Sequence, residues 1–265
     1  MNGRTVIALL VLVLAQFAGV PAFAAPGEWQ QVGKPGEWKE TRFLSGTAGA
    51  LWTIENDGTL YVTDKNGGWE QVGPRGNFKQ VQAFAAAADN LWALEGDNLY
   101  HTGGKKGGWT KLGEGGWANT QLIAFLDNAL WSISKDGTLY RTNLKGESVQ
   151  VGKAGDWKDT RLLTVANGAL WTIEKTGILY RTDTNGQWQP VGKAGAFAEM
   201  KFMTGVDNEL WAIGNSGTLY RITNEGKFQR FGKEGNWKQT AKLTAMDGFL
   251  WTIETDGSLF RTAIR

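Results

Sequence analysis

The chain has 265 residues, with 28 basic and 26 acidic side chains, one histidine and no cysteine. A net charge of only +2, with no basic patch, argues against a nucleic-acid partner and against electrostatic attachment to a membrane. The lack of cysteine excludes disulfides, thiolate nucleophiles and thiolate metal ligands, while 37 glycines and 14 tryptophans require an explanation.

Residues 1–24 have the composition of a signal peptide. Arg4 supplies a short basic region, an apolar run follows from Val6 to Val20, and Ala22-Phe23-Ala24 fits a small-x-small cleavage site. We therefore expect an exported protein, periplasmic or secreted, whose mature chain begins at Ala25 and has no transmembrane segment. The alternative interpretation is an uncleaved N-terminal anchor.

The mature chain is a sixfold repeat with a period of about forty residues. A Leu-Trp pair recurs at spacings of 40, 39, 40, 40 and 40 residues, and a second pair, Leu-Tyr or Leu-Phe, follows each copy. The second residues of these pairs are Trp52, Trp92, Trp131, Trp171, Trp211 and Trp251, and then Tyr61, Tyr100, Tyr140, Tyr180, Tyr220 and Phe260. Both columns are expected in the core.

Two further columns contain the remaining tryptophans. The third reads Trp-x-x-Val-Gly in its full form and begins at Trp29, Trp69, Trp109, Ser148, Trp188 and Phe228. We predict that it packs between structural units. The fourth is an aromatic residue shortly after glycine, formed by Trp38, Phe78, Trp117, Trp157, Phe197 and Trp237.

Each repeat is predicted to form four short antiparallel strands, here called A to D. In the first repeat they cover Thr41–Thr47, Ala50–Asn56, Thr59–Asp64 and Trp69–Gly73, and turn pairs such as Asp57-Gly58 separate them. Four-stranded units of this length, apolar on both faces, are typical of β-propeller blades.

The two ends of the chain complete one blade between them. The sixth repeat stops after its strand C, and the missing strand D is present near the N-terminus around Trp29. We therefore predict an all-β fold, a single six-bladed β-propeller domain over residues 25–265, closed by its N-terminal strand.

Because strand direction alternates, the D-to-A links and the B-to-C turns should share one face of the ring. That face collects aromatic, basic and acidic side chains, which makes carbohydrate sites a reasonable hypothesis. The candidate ligand contacts are Trp38, Trp157, Phe197 and Trp237, the lysines Lys34, Lys153, Lys193 and Lys233, and the glutamates Glu55, Glu174 and Glu254. The alternative is that the rings plug the gaps between blades and the lysines are solvated charges.

Catalytic motifs are absent from the sequence: there is no Ser-His-Asp pattern, HExxH, phosphate loop or metal-ligand spacing. Nearly interchangeable blades favour repeated binding over one reaction centre, so we expect neither an enzyme nor a cofactor. A paired-carboxylate glycosidase is the remaining catalytic alternative. Blades two and three depart most from the repeat, and any sites there are expected to be degenerate.

The pattern Leu-Trp-x-Ile, turn, Gly-x-Leu-Tyr-Arg, Trp-x-x-Val-Gly resembles the tectonin repeat of tectonins and tachylectin-1-type lectins. The resemblance covers all six repeats, residues 27–265, and departs at segments such as Thr172-Ile173-Glu174, where family repeats place Gly-Val-Asn. It implies a propeller that binds glycans, including lipopolysaccharide or another surface polysaccharide. We therefore predict a monomeric, multivalent, lectin-like protein; the rival is a protein-interaction scaffold or inhibitor that uses the same face.

Overall fold

The computed structural model describes residues 28–88, 90–105, 107–206 and 208–264. These residues form twenty-four strands in six separate four-stranded sheets, all antiparallel. The predicted signal peptide, residues 1–24, lies outside the described residues. In the described part of the chain, no helix is long and apolar enough to cross a membrane.

Each sheet is one blade of a propeller, with its strands in the order A, B, C, D. Blade 1 contains β2 (Thr41–Thr47), β3 (Ala50–Glu55), β4 (Leu60–Thr63) and β5 (Trp69–Val72); blade 2 contains β6 (Val81–Ala87), β7 (Asn90–Glu95), β8 (Asn98–Thr102) and β9 (Thr110–Leu112); blade 3 contains β10 (Thr120–Leu126), β11 (Ala129–Ser134), β12 (Leu139–Thr142) and β13 (Ser148–Val151). Blade 4 contains β14 (Thr160–Ala166), β15 (Ala169–Glu174), β16 (Leu179–Thr182) and β17 (Trp188–Val191); blade 5 contains β18 (Met200–Val206), β19 (Glu209–Gly214), β20 (Leu219–Ile222) and β21 (Phe228–Phe231); blade 6 contains β22 (Thr240–Met246), β23 (Phe249–Glu254), β24 (Leu259–Ala263) and β1 (Gln30–Val32). The predicted six-bladed propeller is confirmed, with strand limits in the first repeat correct to within one residue.

The N-terminal strand closes the ring as predicted. β1 pairs antiparallel with β24, and Gln31 lies opposite Phe260. Arg261 reinforces the junction, because its Nε donates to Gln30 Oε1 at 2.9 Å and its Nη1 donates to the Lys65 carbonyl of blade 1 at 2.7 Å. Its guanidinium also lies over the Trp251 ring. One side chain therefore links both ends of the chain to the neighbouring blade.

The hydrophobic core is a set of layers between successive blades. The Leu-Trp column lies in these layers and every member is buried, as predicted. Several of these indoles also donate a hydrogen bond to a backbone carbonyl at the end of strand A. Trp171 Nε1, for example, donates to the Ala166 carbonyl at 3.0 Å. In the Leu-Tyr column the leucines are fully buried, whereas the tyrosines are only half-buried. The prediction that this column lies in the core is therefore correct for the leucines and only partly correct for the tyrosines.

Strand A is the innermost strand of each blade and lies beside the A strands of its neighbours. The backbone N–H of Gly46 in β2 donates to Thr244 Oγ1 in β22 at 2.9 Å, and that of Gly205 in β18 donates to Thr164 Oγ1 in β14 at 3.1 Å. All six A strands carry a register shift after their first residue, as between Thr41 and Phe43. Strand D is consequently the outer edge of every blade.

Candidate functional site

The D-to-A links and the B-to-C turns form one rim, as the topology predicted. The link before blade 1 lies between two turns: Trp38 N–H donates to the Gly257 carbonyl of blade 6 at 3.0 Å, and Asn56 N–H of blade 1 donates to the Glu40 carbonyl at 2.8 Å. Equivalent bonds recur at the links before blades 4, 5 and 6. The rim is therefore a repeated, hydrogen-bonded structure.

The aromatic residues of the links are buried, which corrects their selection as stacking surfaces. Trp38 and Trp157 are 4 % exposed, Trp237 is 1 % exposed and Phe197 is fully buried. Each ring belongs to a core cluster between two blades. Between the two interpretations of this column, the plug is the one that the structure supports, because at most 4 % of each of these four side chains is exposed, which is too little for a sugar to stack on.

The four candidate lysines do not share a cleft with the glutamates with which they were grouped. Lys34, Lys153, Lys193 and Lys233 are exposed on the links, and none of them lines the clefts described below. Their interpretation as solvated charges fits these positions.

The outer strands carry the exposed aromatic rings, and the prediction that this column packs between blades is wrong for two of them, Trp69 and Trp188. Phe228 meets it in part, because its ring centroid also lies 5.8 Å from that of the buried Phe197 of its link. Trp69 in β5 is 54 % exposed, Trp188 in β17 is 49 % exposed and Phe228 in β21 is 45 % exposed. Each packs edge-to-face on the tyrosine of strand C beside it; the Tyr61 and Trp69 ring centroids are 5.3 Å apart. One part of the indole is fixed by the tyrosine while the rest faces solvent.

Two outer-strand tryptophans turn inward instead. Trp109 lies 5.0 Å from Phe78, and Trp29 lies 5.0 Å from Trp237, measured between ring centroids. Both are half-buried. For these members the predicted packing role is correct, because each lies on the buried aromatic residue of a link.

Equivalent clefts open on four blades between the link, strands B and C, and the outer strand. The blade 1 cleft has a volume of about 210 Å³ and is lined by Glu37, Trp38, Glu40, Thr53, Glu55, Tyr61, Thr63 and Trp69. The blade 2 cleft (about 190 Å³) is lined by Asn77, Phe78, Val81, Ala93, Glu95, Tyr100 and Trp109. The blade 4 cleft (about 30 Å³) is lined by Asp156, Trp157, Thr172, Glu174, Tyr180 and Trp188, and the blade 6 cleft (about 530 Å³) by Trp29, Asn236, Gln239, Glu254, Thr255, Asp256 and Phe260.

The glutamate at the end of strand B is common to all four clefts, and the three predicted members, Glu55, Glu174 and Glu254, are among them. Glu55 accepts a hydrogen bond from Thr41 Oγ1 at 2.8 Å, and Glu254 accepts one from Thr240 Oγ1 at 2.9 Å. Desolvation by burial raises the pKa of Glu55, Glu174 and Glu254 above its usual value. Glu55 and Glu254 are therefore held in fixed positions by strand A, and all three carboxylates are incompletely hydrated.

Blades 3 and 5 lack parts of this arrangement. In blade 3 Ser148 replaces the outer tryptophan and its hydroxyl is 2.8 Å from that of Thr142, while Ser134 replaces the glutamate. In blade 5 Gly214 replaces the glutamate. Blade 2, expected to be degenerate, retains a cleft with Glu95 and an aromatic lining, so its altered B-to-C turn leaves the cleft intact.

Two features of the described part of the chain bear on metal and histidine chemistry, the grouping of its potential ligands and the position of the single histidine. Among them, no group of three or more His, Cys, Asp or Glu side chains could hold a metal ion. His101 lies in strand C of blade 2, with Nε2 at 2.8 Å from Asn90 Oδ1 and its ring 5.2 Å from that of Trp92. Burial lowers the pKa of His101, and the residue lies outside the four clefts.

Comparison with known proteins supports the fold alone. No protein-family model matches the chain, and no curated protein matches it by sequence. Among solved structures, virginiamycin B lyase from Staphylococcus aureus is similar with a TM-score of 0.61 and 16% identity, covering 85% of this chain and 80% of the lyase. YCF48 bound to a D1 peptide is similar with a TM-score of 0.58 and 16% identity, covering 91% of this chain and 96% of YCF48.

These neighbours differ in what they do. A catalytically inactive variant of the lyase, solved with quinupristin, is similar with a TM-score of 0.60 and 15% identity, covering 90% of this chain and all of that one. One neighbour is therefore an enzyme and another is seen with a peptide. At such low identity the likeness establishes a propeller and assigns no activity.

Proposed function

We propose that the chain is a non-catalytic, multivalent carbohydrate-binding propeller that acts on cell-surface or envelope glycans. The observation that carries this proposal is the repetition of one cleft on four blades, with aromatic rings and a glutamate in the same places. The sugar contacts are assigned to the outer strands instead of the links. The resemblance to tectonin repeats agrees with carbohydrate as the ligand class.

The chemistry of the clefts suits a pyranose. Its apolar C–H face can stack on an exposed indole such as Trp69 or Trp188, while its hydroxyls donate to the adjacent carboxylate. One such site binds weakly, but rigid copies around a ring give a higher avidity for a polyvalent surface, because each bound site raises the effective concentration of ligand at the next. Four clefts on one closed scaffold therefore favour a repetitive glycan over a single small molecule.

The decisive test removes the exposed rings and leaves the buried ones. The double variant Trp69→Ala, Trp188→Ala should stay folded and lose about 100-fold or more of its avidity for glycans on an array, since two stacking sites are deleted. Val149→Ala is the matched control, because Val149 is also exposed on an outer strand but lies in blade 3, beside no aromatic cleft. Equal glycan binding by both variants would refute the proposal, as would the absence of binding by the parent protein.

Binding without reaction is a separate claim with its own measurement. Blade 1 carries three carboxylates in one cleft, Glu37, Glu40 and Glu55, which is where a glycosidase would be sought. We expect no release of reducing ends from any glycan that the protein binds. Hydrolysis of a glycan by the parent protein, together with its loss in Glu55→Gln, would show that the chain is an enzyme.

A second candidate function, a protein-interaction scaffold, is favoured by the outer strand of blade 3. Outer strands β5, β9, β17 and β21 carry Glu70, Lys111, Pro190 and Arg230, residues that discourage strand addition, whereas β13 reads Ser-Val-Gln-Val and the shorter β1 reads Gln-Gln-Val. Val149 on this strand and the nearby Leu144 are exposed. An extended segment of a partner protein could add to this edge.

The two functions are separable by mutation. Under the scaffold hypothesis a stoichiometric protein partner resists competition by free sugars, is lost in Val149→Lys and is kept in Trp69→Ala. Under the glycan proposal, glycan binding is lost in Trp69→Ala and kept in Val149→Lys.

We also propose export, on the basis of the N-terminal sequence. Cleavage after Ala24 should give a mature protein whose first residue is Ala25, read directly by N-terminal sequencing of the secreted or periplasmic material. An intact Met1 in the cell fraction would contradict it.

A further inference from the structure

The clefts have a consistent charge that the whole chain does not have. Every one contains at least one carboxylate, and blade 1 contributes Glu37, Glu40 and Glu55 to a single cleft. Of the described residues that line these four clefts, none is lysine or arginine, although the chain carries 28 such residues and a net charge of +2. The negative lining is therefore a local property of the clefts.

The aromatic rings have the same electrostatic preference. The π face of an indole attracts cations, by about 0.5–2 kcal/mol depending on how far the site is desolvated. Tyr61 and Trp69 stand at 89° to each other, and Tyr180 and Trp188 at 83°, so the tyrosine covers only part of each exposed indole. Ring faces and carboxylates line the same space, and both disfavour an anion there.

An unpaired, buried hydroxyl lies beside the blade 1 cleft. Thr63 lines this cleft, is fully buried, and its Oγ1 has no hydrogen-bond partner among the described residues. In blade 3, where Ser148 stands in place of the tryptophan, the equivalent hydroxyl of Thr142 is paired with it. The equivalent hydroxyls of Thr102, Thr182 and Thr262 are also unpaired within the described part of the chain, and all four oxygens are closed to solvent, so this hydroxyl is a feature of the repeat. The rings and the carboxylates are the groups that a ligand in the cleft would meet.

We infer that the clefts recognise a protonated primary amine, and that the glycan bound by this protein is an amino-sugar polymer with free amino groups. This inference rests on the proposed carbohydrate function and names its ligand class. An ammonium group provides three donors and a charge that suits both the rings and the carboxylates. It also disfavours phosphorylated or uronate-containing polysaccharides as cleft ligands, including the lipopolysaccharide suggested by the family resemblance.

The test compares two oligosaccharides that differ only in the amine. A glucosamine hexamer and an N-acetylglucosamine hexamer are titrated calorimetrically against the parent protein at about pH 6, where a primary amine is protonated. The glucosamine hexamer should bind at least about tenfold more tightly, the ratio that corresponds to one well-placed charge contact. Polylysine of similar charge is titrated alongside.

Isosteric variants assign the effect to the clefts. Glu55→Gln with Glu174→Gln should remove most of this tenfold preference, and Glu147→Gln with Glu225→Gln, in exposed C-to-D turns, should leave it unchanged. Equal affinity for both hexamers, with the first variant unaffected, would overturn the amine inference while the carbohydrate function stands. Binding of polylysine but of neither hexamer would overturn both, as would binding of none of the three.

Discussion

At the scale of single residues, the glycine of the B-to-C turn has two functions in every blade except blade 2, and only one of them was apparent in the sequence. The Asp-Gly pairs predict tight turns with a positive φ, and Gly58 has φ +83°. The structure adds a close approach: a Cβ at Gly58 would lie 2.2 Å from the backbone N of Lys79 in the link to the next blade. This link is about 20 residues further along the chain, so no local pattern reveals the contact.

The second function predicts a difference between two glycines with similar backbone angles. Gly49 has φ +73° and a Cβ added there would meet no atom within 4 Å, so Gly49→Ala should cost about 1–2 kcal/mol for the backbone alone. Gly58→Ala should cost about 2 kcal/mol more, because the link must also move. Urea denaturation of both variants measures the difference in the free energy of unfolding, and equal losses would show that the link yields freely.

At the scale of strands and links, the repeat predicted which residues are equivalent but not which column is buried. The period places Trp188 and Trp157 in separate columns, and both kinds of column can fill a gap between blades. Burial of a column is decided by its place in the blade: strand D lies at the outer edge and has only one neighbouring strand. A signal was present within the chain: the link column is aromatic in all six repeats, whereas the outer column accepts Ser148 in blade 3.

The exchange of these two roles makes a prediction about stability. Trp237→Ala removes a ring that is 1 % exposed and should lower the free energy of unfolding by about 3–5 kcal/mol. Trp188→Ala removes a ring that is half in solvent and held mainly by Tyr180, so its cost should stay below about 1 kcal/mol. Chemical denaturation should rank the pair in this order. A larger loss for Trp188→Ala than for Trp237→Ala would show that the outer column belongs to the core.

At the scale of the whole molecule, the fold was predictable because each repeat gives the same information six times. The blade count, the strand order and the pairing of the N-terminal strand with the last blade all follow from counting repeats and noticing the missing strand D. The clefts were not predictable to the same degree. Their glutamates could be placed from topology, but the exposure of Trp69 is an outcome of packing, because its ring lies on Tyr61 while that of Trp109 lies on the link residue Phe78.

Ring closure is the whole-molecule feature most open to a direct test, because this protein has no disulfide to hold its ends together. Starting the chain at residue 34 instead of residue 25 removes β1, uncovers the edge of β24, and takes Trp29 away from Trp237 and Phe260, whose ring centroids lie 5.0 and 5.5 Å from it. We expect unfolding at a lower temperature and over a broader range. We also expect concentration-dependent association, since an unpaired edge strand can pair with another chain. Light scattering after gel filtration reports the association. The matched control is a circular permutant that joins residue 265 to residue 25 through a flexible linker and opens the chain in the link at Gly115, which keeps all twenty-four strands. The permutant should remain monomeric and cooperative, and a truncated protein that did the same would show that the other five blades hold the ring without closure.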